Sequence, residues 1–409
     1  MRLLPTNIIE PGMRLARSVV DGDGRLVLAS GTTLRQRYID LLLEQGYTSL
    51  YIADDIIQVE LSEPVTLETR QYTMSCIVDF VETGVLGADG GFIRKSFAGV
   101  KEASAGLRPA VKPGKRLRPD VAAIVAKAAG MLVNEVMARK EVIIGLIDVK
   151  SLHDYTFAHS VQVALLAMVA GRMIHYNRQQ LLELGVGALL HDVGKVQVPD
   201  HIWYRNGGLS PDELAVVQSH PEIGYEYMRK ARIGLLSAHI ALQHHERWDG
   251  SGYPRGLKGE EVHKYARLCA VCDVFDAMTS DRAHKAAVHP YEVLAFLADN
   301  AGTLFDPKAV SALQAVVAPY PVATSVILST GEVAVVKRIN NHALERPVVV
   351  VTKDPQWNFY AKYRELDLSK EPDMEITGHI SWYDDAPRES PARAPAPDLG
   401  DEPAEETEG

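Results

Sequence analysis

Val186-Gly187-Ala188-Leu189-Leu190-His191-Asp192-Val193-Gly194-Lys195 is the stretch on which the reading of this chain turns. An apolar run ends in an imidazole beside a carboxylate, and an ammonium follows one turn on. Histidine suits both metal ligation and acid-base work, but a His-Asp dipeptide alone is weak evidence. Its surroundings supply the rest. From residue 142 to about 317, apolar residues recur at helical spacing, Asp306-Pro307 opens a last helix, and no alternating strand pattern intervenes. The segment reads as an all-α domain.

Twelve of the 14 histidines fall in this segment, between His153 and His289. A lone histidine on a helix is ordinarily structural, so each needs company. His244-His245-Glu246 precedes Asp249-Gly250-Ser251-Gly252-Tyr253-Pro254, a turn-forming run. Two consecutive histidines cannot share one face of a regular helix, so this pair marks a helix end or a bend wrapped round a metal. His159, His220-Pro221 with Gly224, and Asp273 with Asp276 complete the constellation. One ion is saturated by four to six ligands. His159, His191, Asp192, His220, His244, His245 and Asp273 are more than one ion needs, so the expectation is two ions. A carboxylate can bridge cations ~3.5–4 Å apart, where both polarise a phosphoryl oxygen and lower the pKa of a shared water. That is phosphoester-hydrolase chemistry. Asp276, three residues after Asp273, reads as a carboxylate that orients a ligand. Cys269 and Cys272 read as core packing, since no second cysteine pair completes a zinc site.

His191-Asp192-Val193-Gly194-Lys195, His220-Pro221-Glu222-Ile223-Gly224, His244-His245-Glu246 through Gly252-Tyr253-Pro254, and Asp273-Val274-Phe275-Asp276-Ala277 together resemble the HD-GYP family, a bacterial subgroup of the HD superfamily. The order is unbroken over about 142–317. The resemblance implies an all-α, metal-dependent phosphodiesterase that linearises cyclic di-GMP to pGpG, with GMP as a slower second product. It implies one ion held by His159, His191, Asp192 and Asp273, another by Asp192, His220, His244 and His245, and Asp192 as the bridge. Lys195, with Asp192, is the implied catalytic group near the scissile phosphate. Arg282 and Lys285 match a basic pair that grips a second phosphate, and Gly252 and Tyr253 shape the substrate-facing loop. Iron or manganese is the expected metal, with zinc or nickel as alternatives. Tyr155 stands where some members carry an acid that helps hold a third metal, which favours two ions. His284 and Leu304 replace a common tyrosine and histidine, which bears on substrate preference. Alternatives kept open are a cyclic-dinucleotide sensor or scaffold without turnover, and an enzyme preferring another cyclic dinucleotide or pGpG.

Outward from this segment the texture changes. The first ~55 residues read as a small α+β unit with a hairpin signal at Asp21-Gly22-Asp23-Gly24, and Pro11-Gly12-Met13 and Gly31-Thr32 resemble the accessory domain that often precedes HD-GYP domains. Residues 55–117 are ambiguous, and a helical pattern starts near Val121. After Pro319-Tyr320-Pro321, short β-branched runs at 326–328, 333–336 and 348–352 read as strands. The expected architecture is mainly α: a small α+β N-terminal domain with linker (1–140), an HD-type helical catalytic domain (141–318), a minor β C-terminal extension (319–385) and an acidic disordered tail (386–409).

The 409 residues are 46% hydrophobic and 23% charged, an ordinary soluble composition. The net charge of −10 disfavours nucleic acid as a partner. The basic cluster at 94–118, with Pro109, Pro113 and Gly114, reads as a solvated linker. The longest apolar run considered, 161–174, is broken by Gln162, Gly171 and Arg172, so no membrane span is expected. With Pro5 and Glu10 so early, no secretory signal is read, and three scattered cysteines fit a reducing compartment. A cytoplasmic location is expected. A signalling-protein partner and a homodimer both stay open.

Overall fold

The computed structural model describes residues 1–21, 25–54, 59, 64–84, 121–139, 143–145, 155–199, 202, 209–280, 287–380 and 387–389. Its centre is a helix without a polar face. Helix α4 (Tyr155–Met173) is buried all round from 159 to 171, because its run of Val, Ala and Leu meets neighbours on every side. The neighbours are α5 (Arg178–Leu189), α9 (Lys264–Thr279) and α11 (Pro307–Gln314), with α8 (Leu235–Gln243) and α7 (His220–Lys230) stacked beyond α5. Leu165, Leu166, Leu184, Leu189, Leu268 and Val271 share this core. Each large apolar side chain so buried contributes about 1.5–3 kcal/mol. Two further helices, α6 (Pro211–Gln218) and α10 (Pro290–Asp299), pack against this body.

The helices start where the sequence supplies caps. Asn177 and Gln180 bond reciprocally, side chain to backbone N–H, at the start of α5, and Ser210 and Glu213 do the same for α6. Asp306 accepts from the Lys308 N–H at the start of α11.

Three expectations need correction. Helices α2 (Leu67–Gly84) and α3 (Val121–Ala138) lie within the stretch assigned to the accessory domain and linker, yet Ile77, Phe80, Leu132 and Val133 pack into the same core as α4 and α5. Texture along a chain does not say which body a helix joins. Second, α3 is long and apolar enough, by length and composition, to cross a membrane, a run the reading of 161–174 passed over. Here Val125, Ala129, Leu132, Val133 and Val136 are its core face. Third, the C-terminal β extension holds more strands than the β-branched runs announced. It is a six-stranded antiparallel sheet in the order β10-β9-β5-β6-β7-β8. Strands β5 (Ser325–Leu328), β6 (Val333–Arg338) and β7 (Val348–Lys353) correspond to the β-branched runs. Strand β8 (Phe359–Asp367) was not read because it is a largely exposed edge rich in charge, and β9 (Ile376–Ile380) is short and polar at Thr377 and His379. Strand β10 (Pro387–Glu389) pairs with β9 inside the stretch expected to be disordered tail, since ladder hydrogen bonds on a sheet edge require no apolar side chain.

The N-terminal unit pairs β1 (Arg2–Pro5) with β4 (Ser49–Ile52) and β2 (Val19–Val20) with β3 (Leu26–Leu28), and α1 (Gln36–Glu44) closes over Leu15, Leu34 and Leu50. Met1, Leu3 and Tyr51 then meet Ala323 at the root of the C-terminal sheet.

Candidate metal centre

Five helices deliver the site. His159 comes from the first turns of α4, and Asp273 and Asp276 from α9. Helix α5 ends at Leu189, so His191 and Asp192 leave it together, and a 3-10 turn, Val193–Gln197, brings Lys195 back beside them. That turn sits directly on the start of α7. A Cβ on Gly194 would lie 2.0 Å from the His220 carbonyl oxygen and 2.7 Å from the Gly224 nitrogen, so glycine is required by the close approach. His220 is the first residue of α7. Helix α8 stops at Gln243, and His244 and His245 turn inward from its C-terminal end.

The seven side chains read as ligands converge and are buried or nearly so. They fall into two sets, Asp192 with His220, His244 and His245, and His159 with His191 and Asp273, the ligand atoms of each set lying within 4.8 Å of one another. Asp192 faces both. Its Oδ1 is 3.5 Å from His220 Nε2 and 3.5 Å from His244 Nε2, while Oδ2 is 3.2 Å from His191 Nε2 and 3.9 Å from His159 Nε2. His159 Nε2 is 3.0 Å from Asp273 Oδ1. Lys195 Nζ is 3.0 Å from Asp192 Oδ2.

The second nitrogen of each ring explains the first. Nδ1 of His191, His220 and His244 donates to the carbonyls of Ala188 (2.7 Å), Val217 (2.8 Å) and Ala241 (2.9 Å), and Nδ1 of His159 donates to Asp276 Oδ2 (2.7 Å). A carbonyl can only accept, so Nδ1 carries a proton, and wherever the ring is neutral its Nε2 lone pair faces the cluster. His220 and His244 bring these lone pairs to 3.3 Å of each other. Two acceptors that close repel unless a cation lies among them. Buried His191 Nε2, Asp192 Oδ1 and His245 Nε2 also make no hydrogen bond. Orphaned, inward-facing donor atoms of mixed N and O chemistry fit divalent transition metals.

Electrostatics favours the ligating forms. Burial pushes the Asp192 carboxyl up, but His191 and Lys195 outweigh it and hold the group well below the usual range. Asp273 is likewise held low, burial being overcome by His159 and His191. Burial pushes His244 down to about 4 and His245 well below its ordinary value, so both are neutral. His191 differs. Burial opposes its charge, yet Asp192 beside it lifts it to about 9, so in the metal-free chain this ring carries a proton that an ion would displace.

The remaining expected residues separate cleanly. Gly252 and Tyr253 lie against His245, and Asp276 holds His159. Arg282, Lys285 and His284 lie outside the described residues, as does the side chain of Tyr155. Leu304 accepts the Trp248 N–H through its carbonyl. Cys269 and Cys272 are buried in the core. Sequence reasoning quoted Glu246 within a motif but gave it no role. Its buried carboxylate accepts the Arg255 and Leu257 N–H groups, both at 2.9 Å, and so closes the loop. The signal for it was an acidic residue next to two ligands and just before a glycine-rich turn.

The chain matches the HD domain family over residues 142–309, the span that carries all seven ligands. That segment is similar to HD domains. Its motif order is that of the HD-GYP subgroup, as the residues themselves indicated. Among curated relatives, a cyclic di-GMP phosphodiesterase of Pseudomonas aeruginosa is 36% identical over 234 residues, 56% of this chain and 56% of that protein. The cyclic di-GMP phosphodiesterase response regulator RpfG of Xanthomonas campestris is 41% identical over 160 residues, 39% of this chain and 42% of the relative. A 3'3'-cGAMP-specific phosphodiesterase of Vibrio cholerae is 34% identical over 169 residues, 41% and 36% of the two chains. The chain thus spans about half the length of the curated relatives it matches, and the similarity to the latter two is confined to a segment about the size of the HD domain.

Proposed function

We propose that the chain is a metal-dependent phosphodiesterase that opens cyclic di-GMP to pGpG, with GMP as a slower second product, in the cytoplasm. The observation that carries this reading is the bridging placement of Asp192, with one carboxylate oxygen toward each set of ligands. His159, His191, Asp192 and Asp273 would hold one ion, and Asp192, His220, His244 and His245 the other. Two divalent ions there supply Lewis-acid polarisation of a phosphoryl oxygen and acidification of a shared water. The protein's own groups do the rest. The Ala188, Val217 and Ala241 carbonyls and Asp276 fix the tautomers and aim the rings. Lys195, mostly buried at 11% exposure, sets an ammonium at the edge of the cluster, where it stabilises negative charge developing on a phosphate. Arg282 and Lys285 are assigned the second phosphate of the cyclic dinucleotide.

The curated relatives named as cyclic di-GMP phosphodiesterases support the substrate, and the Vibrio relative named as 3'3'-cGAMP-specific supports a second reading in which another cyclic dinucleotide is preferred. Metal-reconstituted protein, offered cyclic di-GMP and 3'3'-cGAMP separately, is expected to yield linear product from cyclic di-GMP faster, as read by chromatography. Faster turnover of the mixed dinucleotide would establish the second reading. Binding of cyclic di-GMP without linear product, under iron, manganese, zinc or nickel, would replace the enzyme by a sensor.

A further inference from the structure

Four of the five clustered histidines have Nδ1 tied to an oxygen: His159 to a carboxylate, and His191, His220 and His244 to main-chain carbonyls. His245 has no such tie among the described residues, and its Nε2 is buried without a hydrogen bond. Something else must orient this ring. Its broad face lies on Tyr253, centroids 4.7 Å apart and planes 17° from parallel. His244, tilted at 4.1 Å, and His220, edge-on at 4.9 Å, border it on the cluster side. The imidazole is therefore clamped by ring contacts, and Tyr253 is the only one of the three that is not itself a candidate ligand.

The chain fixes Tyr253 in that place by three devices. The Tyr253 N–H reaches the His245 carbonyl at 3.3 Å. Gly252 lets the loop fold back this tightly, since a Cβ there would lie 2.4 Å from both the His245 oxygen and the Arg247 nitrogen. Glu246 clasps the far side of the loop through the Arg255 and Leu257 N–H groups. A buried carboxylate accepting two main-chain N–H groups is a strong anchor.

We propose that Tyr253 is the positioning residue for the metal ligand His245, and that the Glu246 carboxylate holds the loop so that the tyrosine ring stays stacked. Tyr253 then acts on the ion of the Asp192, His220, His244 and His245 set and not on that of the His159, His191 and Asp273 set. The inference rests on the metal reading given above. It changes the role read for Tyr253 from shaping a substrate-facing loop to aiming a ligand through the flat face of a ring.

The test is Mn²⁺ titration of the metal-stripped full chain, followed by electron paramagnetic resonance, on the unaltered protein, Tyr253→Phe, Tyr253→Leu and Glu246→Gln. The unaltered protein is expected to take up two ions. Tyr253→Leu should weaken one of them by ~10-fold or more, the usual scale for losing support behind a ligand, and leave the other within about two-fold. Tyr253→Phe keeps the ring and should keep both affinities. Glu246→Gln should fall between the two. The Co²⁺-loaded leucine variant should also show an altered visible absorption, a change that a purely structural role would not produce. Equal weakening of both ions in the leucine variant, unchanged affinities in it, or a phenylalanine variant as weak as the leucine one would overturn the positioning role while leaving the metal reading intact. An unaltered protein that binds no Mn²⁺ would overturn both.

Discussion

The two halves of the centre are built differently, His191 apart, which belongs to the first set but follows the end of α5 and is aimed by the Ala188 carbonyl. His159 and Asp273 sit within long helices of the core, and the orienting group behind His159 is another side chain, Asp276. His220, His244 and His245 sit at helix ends, and the groups behind them are main-chain carbonyls and a tyrosine ring carried on a loop. Helix interiors place a side chain rigidly, but their carbonyls are already used by the helix, so support must come from a neighbour's side chain. Helix ends leave carbonyls free to aim a ring, at the cost of depending on where the following loop goes. The first half is thus sensitive to single side chains, and the second to the loop from Glu246 to Leu257. Asp192 belongs to both.

The largest expected effect follows from that shared position. Asp192→Ala should abolish uptake of both ions together, whereas His220→Ala should remove mainly one. Elemental analysis after anaerobic purification and reconstitution reads the difference. If Asp192→Ala retains one ion at full affinity, the two sets do not share a bridge and the comparison collapses into two independent sites.

Next in size is Lys195, which contacts Asp192 yet is assigned to neither half. Lys195→Ala should keep both ions and an unchanged melting temperature while turnover falls roughly 10²-fold, the scale of one removed electrostatic stabiliser. Metal loss in parallel with turnover would make Lys195 part of the ligand framework instead. Asp276→Ala, by contrast, should lower affinity for the first ion by ~10- to 100-fold and spare the second. A variant that weakens both would show that the side-chain support behind His159 reaches across the bridge.

How much of this was legible in the sequence depends on where the information lies. His191-Asp192, His220-Pro221, His244-His245 and Asp273 could be gathered because ligation needs particular residue types, and those types cluster in a short span of chain. The adjacency of His244 and His245 even announced a helix end, and α8 does stop at Gln243. The supports were less legible. The carbonyls of Ala188, Val217 and Ala241 belong to residues with no chemical signature, and the stacking of Tyr253 on His245 exists only once the loop has folded back. The helical domain announced itself through periodicity, but α2 and α3 join its core from a distance in sequence that periodicity does not measure. In the C-terminal sheet the β-branched β5, β6 and β7 were visible, while β8, mostly exposed with Lys362, Arg364 and Glu365, carries no burial signal to read.

The smallest effect provides a control on the contrast, because a carboxylate that anchors by accepting hydrogen bonds can be neutralised by acid and a carbonyl cannot. Glu135 on α3 is such an anchor outside the site. It accepts the Thr66 N–H at 2.6 Å and the Thr66 hydroxyl at 2.9 Å, and also the Thr69 hydroxyl, tying the start of α2 to α3. Burial pushes its carboxyl up, but the bonds from Thr69 and Thr66 outweigh burial and leave the group below its ordinary value. A carboxyl lowered on folding contributes stability that is fully present above the unfolded value of about 4.3 and is lost as pH falls through the folded value. Glu135→Gln keeps the shape and removes the charge. Its melting temperature should therefore lie below that of the unaltered protein by a few degrees or less at pH 7, and the gap should narrow steadily from about pH 5 to pH 3. A Glu135 gap that stays constant down to pH 3 would mean that packing of the side chain, and not its charge, joins α2 to α3.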